Sequence, residues 1–125
     1  MAQTNQKCFS VTIVDDDQSV RDALSNLLES FGMRVDAFAS AEDFVNSGRA
    51  NKGTCLILDI QLPGMSGLEL QQRLAAGNDS IPIIFITAHG EDRLREKALQ
   101  DGAVGFFCKP FSSEALLNTV NSVMK

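Results

Sequence analysis

Short apolar runs alternate with longer amphipathic segments along almost the whole chain. Four of these runs are continuous and only six residues long, which is typical of strands buried on both faces; they are residues 9–14, 54–59, 81–86 and 103–108. A fifth segment, residues 34–38, alternates apolar and polar positions, as expected of a half-exposed edge strand. The pattern therefore predicts five strands, with candidate helices between them.

In the intervening segments the apolar residues recur at three- and four-residue spacing, the periodicity of an amphipathic helix. The first such stripe runs from Val20 to Phe31, and Gly32 follows it, as glycine often does just beyond a helix end. Ser66 and Glu69 have the spacing of a capping box. The helices are predicted to begin after residue 17, at Ser40, at Ser66, at about Glu91 and at Ser112 or Ser113, the last reaching Met124.

Five repeats of strand followed by helix predict an α/β fold. Continuous apolar strands covered by alternating helices indicate a parallel sheet buried on both faces. Right-handed crossovers make such a sheet doubly wound, and the small number of strands favours the flavodoxin-like (βα)5 arrangement with strand order 2-1-3-4-5. We expect one domain over residues 1–125, with its core at about 9–124 and no output domain in this chain.

Composition narrows the possible functions. The net charge of −5 argues against a domain that contacts nucleic acid, and no apolar run is long enough to cross a membrane. The first ten residues lack the apolar core of a secretory signal. Three cysteines, Cys8, Cys55 and Cys108, are predicted to be reduced and buried, as in a cytoplasmic protein. With no Trp, no Tyr and one His, the chain lacks an aromatic stacking platform and any two-histidine site.

Polar residues follow the predicted strands at their carboxyl ends, where ligands bind in doubly wound sheets. They are the acidic triplet at residues 15–17, Asp59, Thr87 and Lys109. Taken singly, each has an ordinary explanation: a solvated turn, a helix cap, a strand-end threonine or a surface lysine. Together they predict a carboxylate-rich pocket, and such an all-oxygen donor set suits Mg²⁺.

The same residues restrict the reaction. The chain has no GxxxxGK[ST] loop for a nucleoside triphosphate, and its only histidine, His89, faces no candidate serine. A carboxylate can itself be the nucleophile and form an aspartyl phosphate. Asp59 is the best candidate, because the acids after the first strand are the natural metal ligands. A haloacid-dehalogenase type of phosphatase would need a second acid two residues later, where this chain has Gln61.

Four motifs resemble the receiver domain of bacterial two-component response regulators, most like the receivers that precede a helix-turn-helix output domain. They are IVDDD at 13–17, LDIQLPGMSG at 58–67, FITAHG at 85–90 and CKPF at 108–111. The resemblance implies that Asp59 is the phosphoacceptor and that Thr87 and Lys109 bind the phosphoryl group. It implies a Mg²⁺ site made by Asp15 (through water), Asp16 (directly), Asp59 and the backbone carbonyl of Gln61. It also implies a cis Lys109–Pro110 peptide bond and a helix-capping role for Asp17.

Further residues are interpreted through the same resemblance. Phe106 takes the position of the switch aromatic that moves when Thr87 shifts toward the phosphate, although a phenylalanine in a final strand can also be simple core. We hypothesise that Gln61 and His89, two places after Asp59 and Thr87, set the dephosphorylation rate. Cys108 is interpreted as core filling and not as a functional thiol.

The resemblance implies a phosphorylation-activated signalling switch and not an enzyme, apart from assistance to its own phosphorylation and dephosphorylation. A sensor histidine kinase or phosphotransfer protein would donate the phosphoryl group, and a face at about residues 90–125 would bind a partner or a second copy. Two alternatives remain: a phosphorylation-independent interaction module of the same fold, and a free-standing phosphatase.

Overall fold

The computed structural model describes residues 10–48, 54–77, 81–88 and 92–123. Within them the predicted alternation of strands and helices is confirmed. The elements are β1 (Ser10–Val14), α1 (Gln18–Glu29), β2 (Arg34–Phe38), α2 (Ala41–Asn46), β3 (Thr54–Asp59), α3 (Gly67–Ala76), β4 (Ile83–Thr87), α4 (Asp92–Gln100), β5 (Gly105–Cys108) and α5 (Ser113–Val123). Phe9, His89 and Met124, for which the sequence analysis made predictions, lie outside the described residues.

The strands form one parallel sheet in the order β2-β1-β3-β4-β5, so the predicted doubly wound topology is confirmed. Val14 pairs with Leu58, and Thr87 pairs with Cys108. The carboxyl ends of β1, β3, β4 and β5 consequently lie at one edge of the sheet. The residues that follow these strands emerge there together.

Two apolar clusters cover the two faces of the sheet. On one face, residues of β1, β3 and β4 pack against α1 and α5 through side chains that include Leu24, Leu28, Leu116 and Val120. On the other face, the alternate strand residues pack against α2, α3 and α4; the largest buried side chains there are Phe44, Leu56, Leu58, Leu70 and Phe85. Burying apolar surface contributes roughly 25 cal/mol per Å² to the free energy of unfolding, so these two clusters stabilise the packing of the sheet between its helices.

The helix caps follow the predicted chemistry. Ser66 accepts a hydrogen bond from the backbone N–H of Glu69, whose side chain accepts one from the Ser66 N–H, completing the capping box. Ser40 accepts from the Asp43 N–H, and at the last helix Ser112 is the capping hydroxyl, accepting from the Ala115 N–H at 3.2 Å. These contacts set where α2, α3 and α5 begin.

Two predicted strands begin later than the apolar pattern indicates. Pro82 has no N–H to donate, although its carbonyl accepts from the Leu56 N–H at 2.9 Å, and β4 begins at Ile83. The N–H of Ala103 closes the end of α4 by donating to the Ala98 carbonyl at 3.0 Å, so β5 begins only at Gly105. Apolar character alone did not reveal where the backbone hydrogen bonds go.

The predicted glycine just beyond the first helix is confirmed, but Phe31 does not belong to the buried stripe. The helix ends at Glu29 with Ser30 as its cap, and Phe31 lies outside it with 60% of its surface exposed. Gly32 adopts a φ of +84°, which turns the chain so that Met33 takes the buried position. The apolar stripe is therefore completed by a residue after the turn and not by Phe31.

The cysteine prediction was correct for one residue and wrong for another. Cys55 is fully buried in β3, and this burial raises the pKa of its thiol to about 12. Cys108 is exposed, because it is the last residue of the edge strand β5. Cys8 lies outside the described residues. No helix in the described parts of the chain is long and apolar enough to cross a membrane.

Candidate functional site

The residues predicted to form a site do meet at the carboxyl edge of the sheet. Asp15 and Thr87 are fully buried, and Asp59 is 5% exposed, whereas Asp16 is exposed. Lys109 reaches into the same place from the end of β5, with its side chain 21% exposed. The site therefore has two buried carboxylates, a buried hydroxyl and a side open to solvent.

Three carboxylates form the centre of the site. One oxygen from each of Asp15, Asp16 and Asp59 lies within 4.8 Å of the others. The pKa of Asp59 is raised, first by burial and then by the charge of Asp15, while hydrogen bonds from the Gln61 N–H and Lys109 oppose the shift. Holding Asp59 ionised in this place thus costs free energy, which a neighbouring cation would recover.

Lys109 supplies part of the compensating charge. Its Nζ lies 2.9 Å from Asp15 Oδ2 and 3.4 Å from Asp59 Oδ2. Burial by itself would lower the pKa of Lys109, but the two carboxylates together outweigh burial and raise it, so the ammonium stays charged. One ammonium against three carboxylates leaves an excess of negative charge. Carboxylate oxygens in excess, open to solvent on one side, fit a hard divalent cation such as Mg²⁺.

The β1–α1 turn is held by several backbone contacts. Asp15 donates its N–H to the Phe38 carbonyl at 3.1 Å, and its Oδ1 accepts from the Asp17 N–H at 2.9 Å. The Arg21 guanidinium donates to the Asp15 carbonyl at 2.7 Å. Asp17 caps α1 by accepting from the Ser19 N–H, so the predicted capping role is confirmed. The sequence carried no signal for Arg21, because its contact depends on the path of the turn.

The turn after Asp59 is equally ordered. The N–H of Gln61 donates to Asp59 Oδ1 at 3.0 Å, while the Gln61 side chain is exposed beside the site. A Cβ on Gly67 would collide with the Asp59 carbonyl oxygen and would come within 2.9 Å of the Ile60 Cα. Helix α3 can therefore begin against the backbone of Asp59 only because residue 67 is glycine. The sequence analysis missed this requirement, since it assigned Gly67 no role.

The ends of β4 and β5 are joined through the backbone. The Lys109 N–H donates to the Thr87 carbonyl at 2.7 Å, and the Lys109–Pro110 peptide bond is cis. Phe106, on β5, pairs with Phe85 on β4. Its side chain is half-buried and packs against the apolar cluster on the α4 side of the sheet. The structure thus brings Thr87 and Lys109 together, places Phe106 on the neighbouring strand, and leaves His89 undescribed.

Comparison with known proteins agrees with this geometry. The family described as "Response regulator receiver domain" matches residues 11–121. This chain belongs to the response regulator receiver family. The response regulator protein TmoT of Ectopseudomonas mendocina is 46% identical over 115 residues, covering 92% of this chain and 52% of that protein. The chain spans about half the length of the curated relatives it matches.

Solved structures show the same fold. The response regulator StyR superposes with a TM-score of 0.86 at 46% identity, over 93% of this chain and 59% of that one. FixJ-N gives a TM-score of 0.86 at 33% identity and covers 95% of both chains. Membership in the response regulator receiver family supports a phosphorylation-dependent switch. The resemblance inferred from the four motifs is confirmed.

Proposed function

We propose that this receiver domain accepts a phosphoryl group on Asp59 from a phosphohistidine of a sensor histidine kinase or phosphotransfer protein. The observation that supports this most directly is the position of Asp59. Its carboxylate is nearly buried, its pKa is raised, and it lies 3.4 Å from Lys109 within the three-carboxylate cluster. Because burial and the charge of Asp15 raise the pKa of Asp59, a cation bound beside it would favour the ionised carboxylate that acts as the nucleophile.

The proposed transfer uses residues already in place. An oxygen of Asp59 forms a bond to phosphorus as the bond from phosphorus to the imidazole nitrogen breaks, and the imidazole leaves with the electron pair. Lys109 donates to a phosphoryl oxygen, and the Thr87 hydroxyl binds another. Asp15, Asp16, Asp59 and the Gln61 carbonyl would hold Mg²⁺. Bound there, Mg²⁺ would neutralise charge on the phosphoryl oxygens during transfer.

An apolar groove beside the site is a suitable place for the donor protein. It has a volume of about 310 Å³ and runs between α1 and the start of α5. Its lining includes Val20, Ala23, Leu27 and Phe111, together with Lys109. Because Lys109 belongs to both the groove and the site, a phosphohistidine domain seated there would bring its imidazole close to Asp59.

Phosphorylation would then alter the face at about residues 90–125. In this proposal Thr87 moves toward the phosphoryl group, Phe106 repacks, and the change biases two packings of the same fold. Leu99 and Val104, on that face, are 40% and 43% exposed. These exposed apolar side chains favour a surface for a partner or for a second copy of the chain. Gln61 and His89 would set the lifetime of the phosphorylated state.

We further propose that residues 1–125 form a single receiver domain located in the cytoplasm, without nucleic-acid contact or membrane association of its own. It would act as a switch and not as an enzyme with turnover. A phosphorylation-independent interaction module of the same fold remains the competing function. That function predicts an altered site, whereas Asp15, Asp16, Asp59, Thr87 and Lys109 are all present.

Intact-protein mass spectrometry after incubation with acetyl phosphate and Mg²⁺ tests the proposal. The wild-type chain should gain one phosphate, and Asp59→Asn should gain none. Asp17→Asn is the matched control, because it removes an exposed acid nearby that caps α1. Its phosphorylation should remain. A wild-type chain that gains no phosphate from acetyl phosphate or from any phosphohistidine donor would favour the interaction module instead.

A further inference from the structure

The loop that follows Asp59, residues 60–66, is fastened at both of its ends. At its start the Ile60 N–H donates to the Ile86 carbonyl at 3.3 Å, and the Ile60 carbonyl accepts from the Gly67 N–H at 2.9 Å. At its end the capping box fixes Ser66 on α3. Between these points the loop contains Gln61, whose backbone carbonyl is the proposed cation ligand.

The middle of this loop is held by a residue from a different element. The Met65 N–H donates to Glu42 Oε2 at 2.7 Å, across 23 positions of the chain. This hydrogen bond is the main reason that the pKa of Glu42 is lowered, so the contact favours the ionised form of the carboxylate. A Cβ on Gly64 would lie 2.5 Å from the same Glu42 oxygen, which shows how closely the carboxylate approaches the turn.

The remaining freedom of the loop lies close to this contact. Leu62 is buried in the core, and a residue that precedes proline is restricted to extended conformations, so Leu62 and Pro63 are stiff. Gly64 adopts a φ of +77° and has the greatest backbone freedom in the loop. Glu42 restrains the residue immediately after Gly64. Without Glu42 the turn could open around Gly64, and the stiff Leu62–Pro63 segment would transmit that movement to Gln61.

We propose that Glu42 is a positioning residue for the cation site. It restrains the loop that contains Gln61, whose backbone carbonyl is the ligand proposed beside Asp15, Asp16 and Asp59. This inference rests on the proposed function, because it takes that carbonyl as a Mg²⁺ ligand. Partners outside the ligand shell commonly change metal affinity by 10–100-fold. Glu42 acts through several backbone bonds, so we expect a smaller effect.

Titration calorimetry with MgCl₂ on the unphosphorylated chain tests the proposal. Glu42→Ala should weaken Mg²⁺ binding by roughly three- to tenfold. Glu42→Gln should bind nearly as well as wild type, because its amide oxygen can still accept from the Met65 N–H. Asp43→Ala is the matched control: it removes an equal, exposed charge from the next position of α2. It should leave the affinity unchanged.

Hydrogen exchange at the Met65 amide gives a readout that needs no metal. The amide should exchange faster in Glu42→Ala but not in Glu42→Gln or Asp43→Ala. Wild-type Mg²⁺ affinity in Glu42→Ala, with Met65 exchanging faster, would overturn the positioning role and leave the proposed function intact. Equal weakening in all three variants would also overturn it, since net charge would then be the cause. Absence of Mg²⁺ binding by wild type would instead overturn the proposed function, and this inference with it.

Discussion

Replacing Lys109 by methionine keeps most of the apolar stem of the side chain but removes an ammonium from between two buried carboxylates. Its Nζ lies 2.9 Å from Asp15 Oδ2 and 3.4 Å from Asp59 Oδ2. At an effective dielectric constant near 20, each pair corresponds to roughly 5–6 kcal/mol of attraction. The cost of burying these charges away from water offsets much of this attraction. Lys109→Met removes the desolvation cost of the ammonium, but the desolvation cost of the two carboxylates remains. Two buried carboxylates are left uncompensated.

We expect Lys109→Met to lower the free energy of unfolding by about 3 kcal/mol near pH 7 without Mg²⁺, the lower end of the range for breaking a buried ion pair. The lower end applies because the Lys109 side chain is 21% exposed and water screens part of the interaction. The raised pKa of Lys109 means that its stabilisation is present below the usual lysine pKa and is lost only as the pH rises through the raised value. In acid the deficit should shrink, because protonated carboxylates no longer need the ammonium.

Urea unfolding followed by far-ultraviolet circular dichroism measures this effect, since the chain has no Trp or Tyr for fluorescence. Lys97→Met is the matched control, because Lys97 makes an exposed pair with Asp101 at 3.1 Å. Such a surface pair contributes about 0.3–0.5 kcal/mol. Adding Mg²⁺ should restore part of the Lys109→Met deficit. A loss no larger than that of Lys97→Met, or one that persists in acid, would refute the charge compensation assigned to Lys109.

Three further predictions concern single residues of the site and the core. Because the pKa of Asp59 is raised, the stability that this residue contributes is present below the usual aspartate pKa and is lost as the pH rises through the raised value. Asp59→Asn should therefore raise the urea midpoint of unfolding near pH 7 without Mg²⁺. This gain should vanish in acid. Gly67→Ala should lower the free energy of unfolding by about 3 kcal/mol and lower Tm, because the added Cβ would overlap the backbone of Asp59 and no side chain can move to relieve it. An unchanged Tm would contradict the close packing of α3 against that backbone. In the native chain Ellman's reagent should modify Cys108 and leave Cys55 unreacted until urea unfolds the protein, as peptide mapping would show; equal reactivity would contradict the burial of Cys55.

Local chemistry explains what could be predicted. The apolar runs and the helical periodicity are properties of adjacent residues, so all of the described strands and helices were found. The same is true of the cap at Ser66, where a serine and a glutamate three residues apart satisfy the backbone groups at the start of α3. Asp15, Asp59, Thr87 and Lys109 were brought into one site by topology alone, since parallel strands end at a common edge.

Predictions failed where the outcome depends on contacts beyond the local pattern of apolar residues. The Ala103 N–H bonds to the end of α4 and does not extend β5. Phe31 is exposed, and Met33, beyond the turn, is buried instead. Cys108 is exposed because β5 is an edge strand, which its own apolar neighbours do not show. Each of these outcomes depends on neighbours in space that the local pattern does not identify.

The amino-acid sequence by itself determined the strand–helix alternation, the parallel sheet and the set of acids, hydroxyl and lysine at its carboxyl edge. These follow from hydrophobic periodicity and from the rule that parallel strands share an edge. Only the tertiary structure decided how these side chains are held in place. The contacts that hold them are the ion pairs of Lys109, the close approach of Gly67 to Asp59, and the hydrogen bond from the Met65 N–H to Glu42. Those contacts act over a few ångströms, across a turn or between distant parts of the chain, and such distances depend on how each turn is closed.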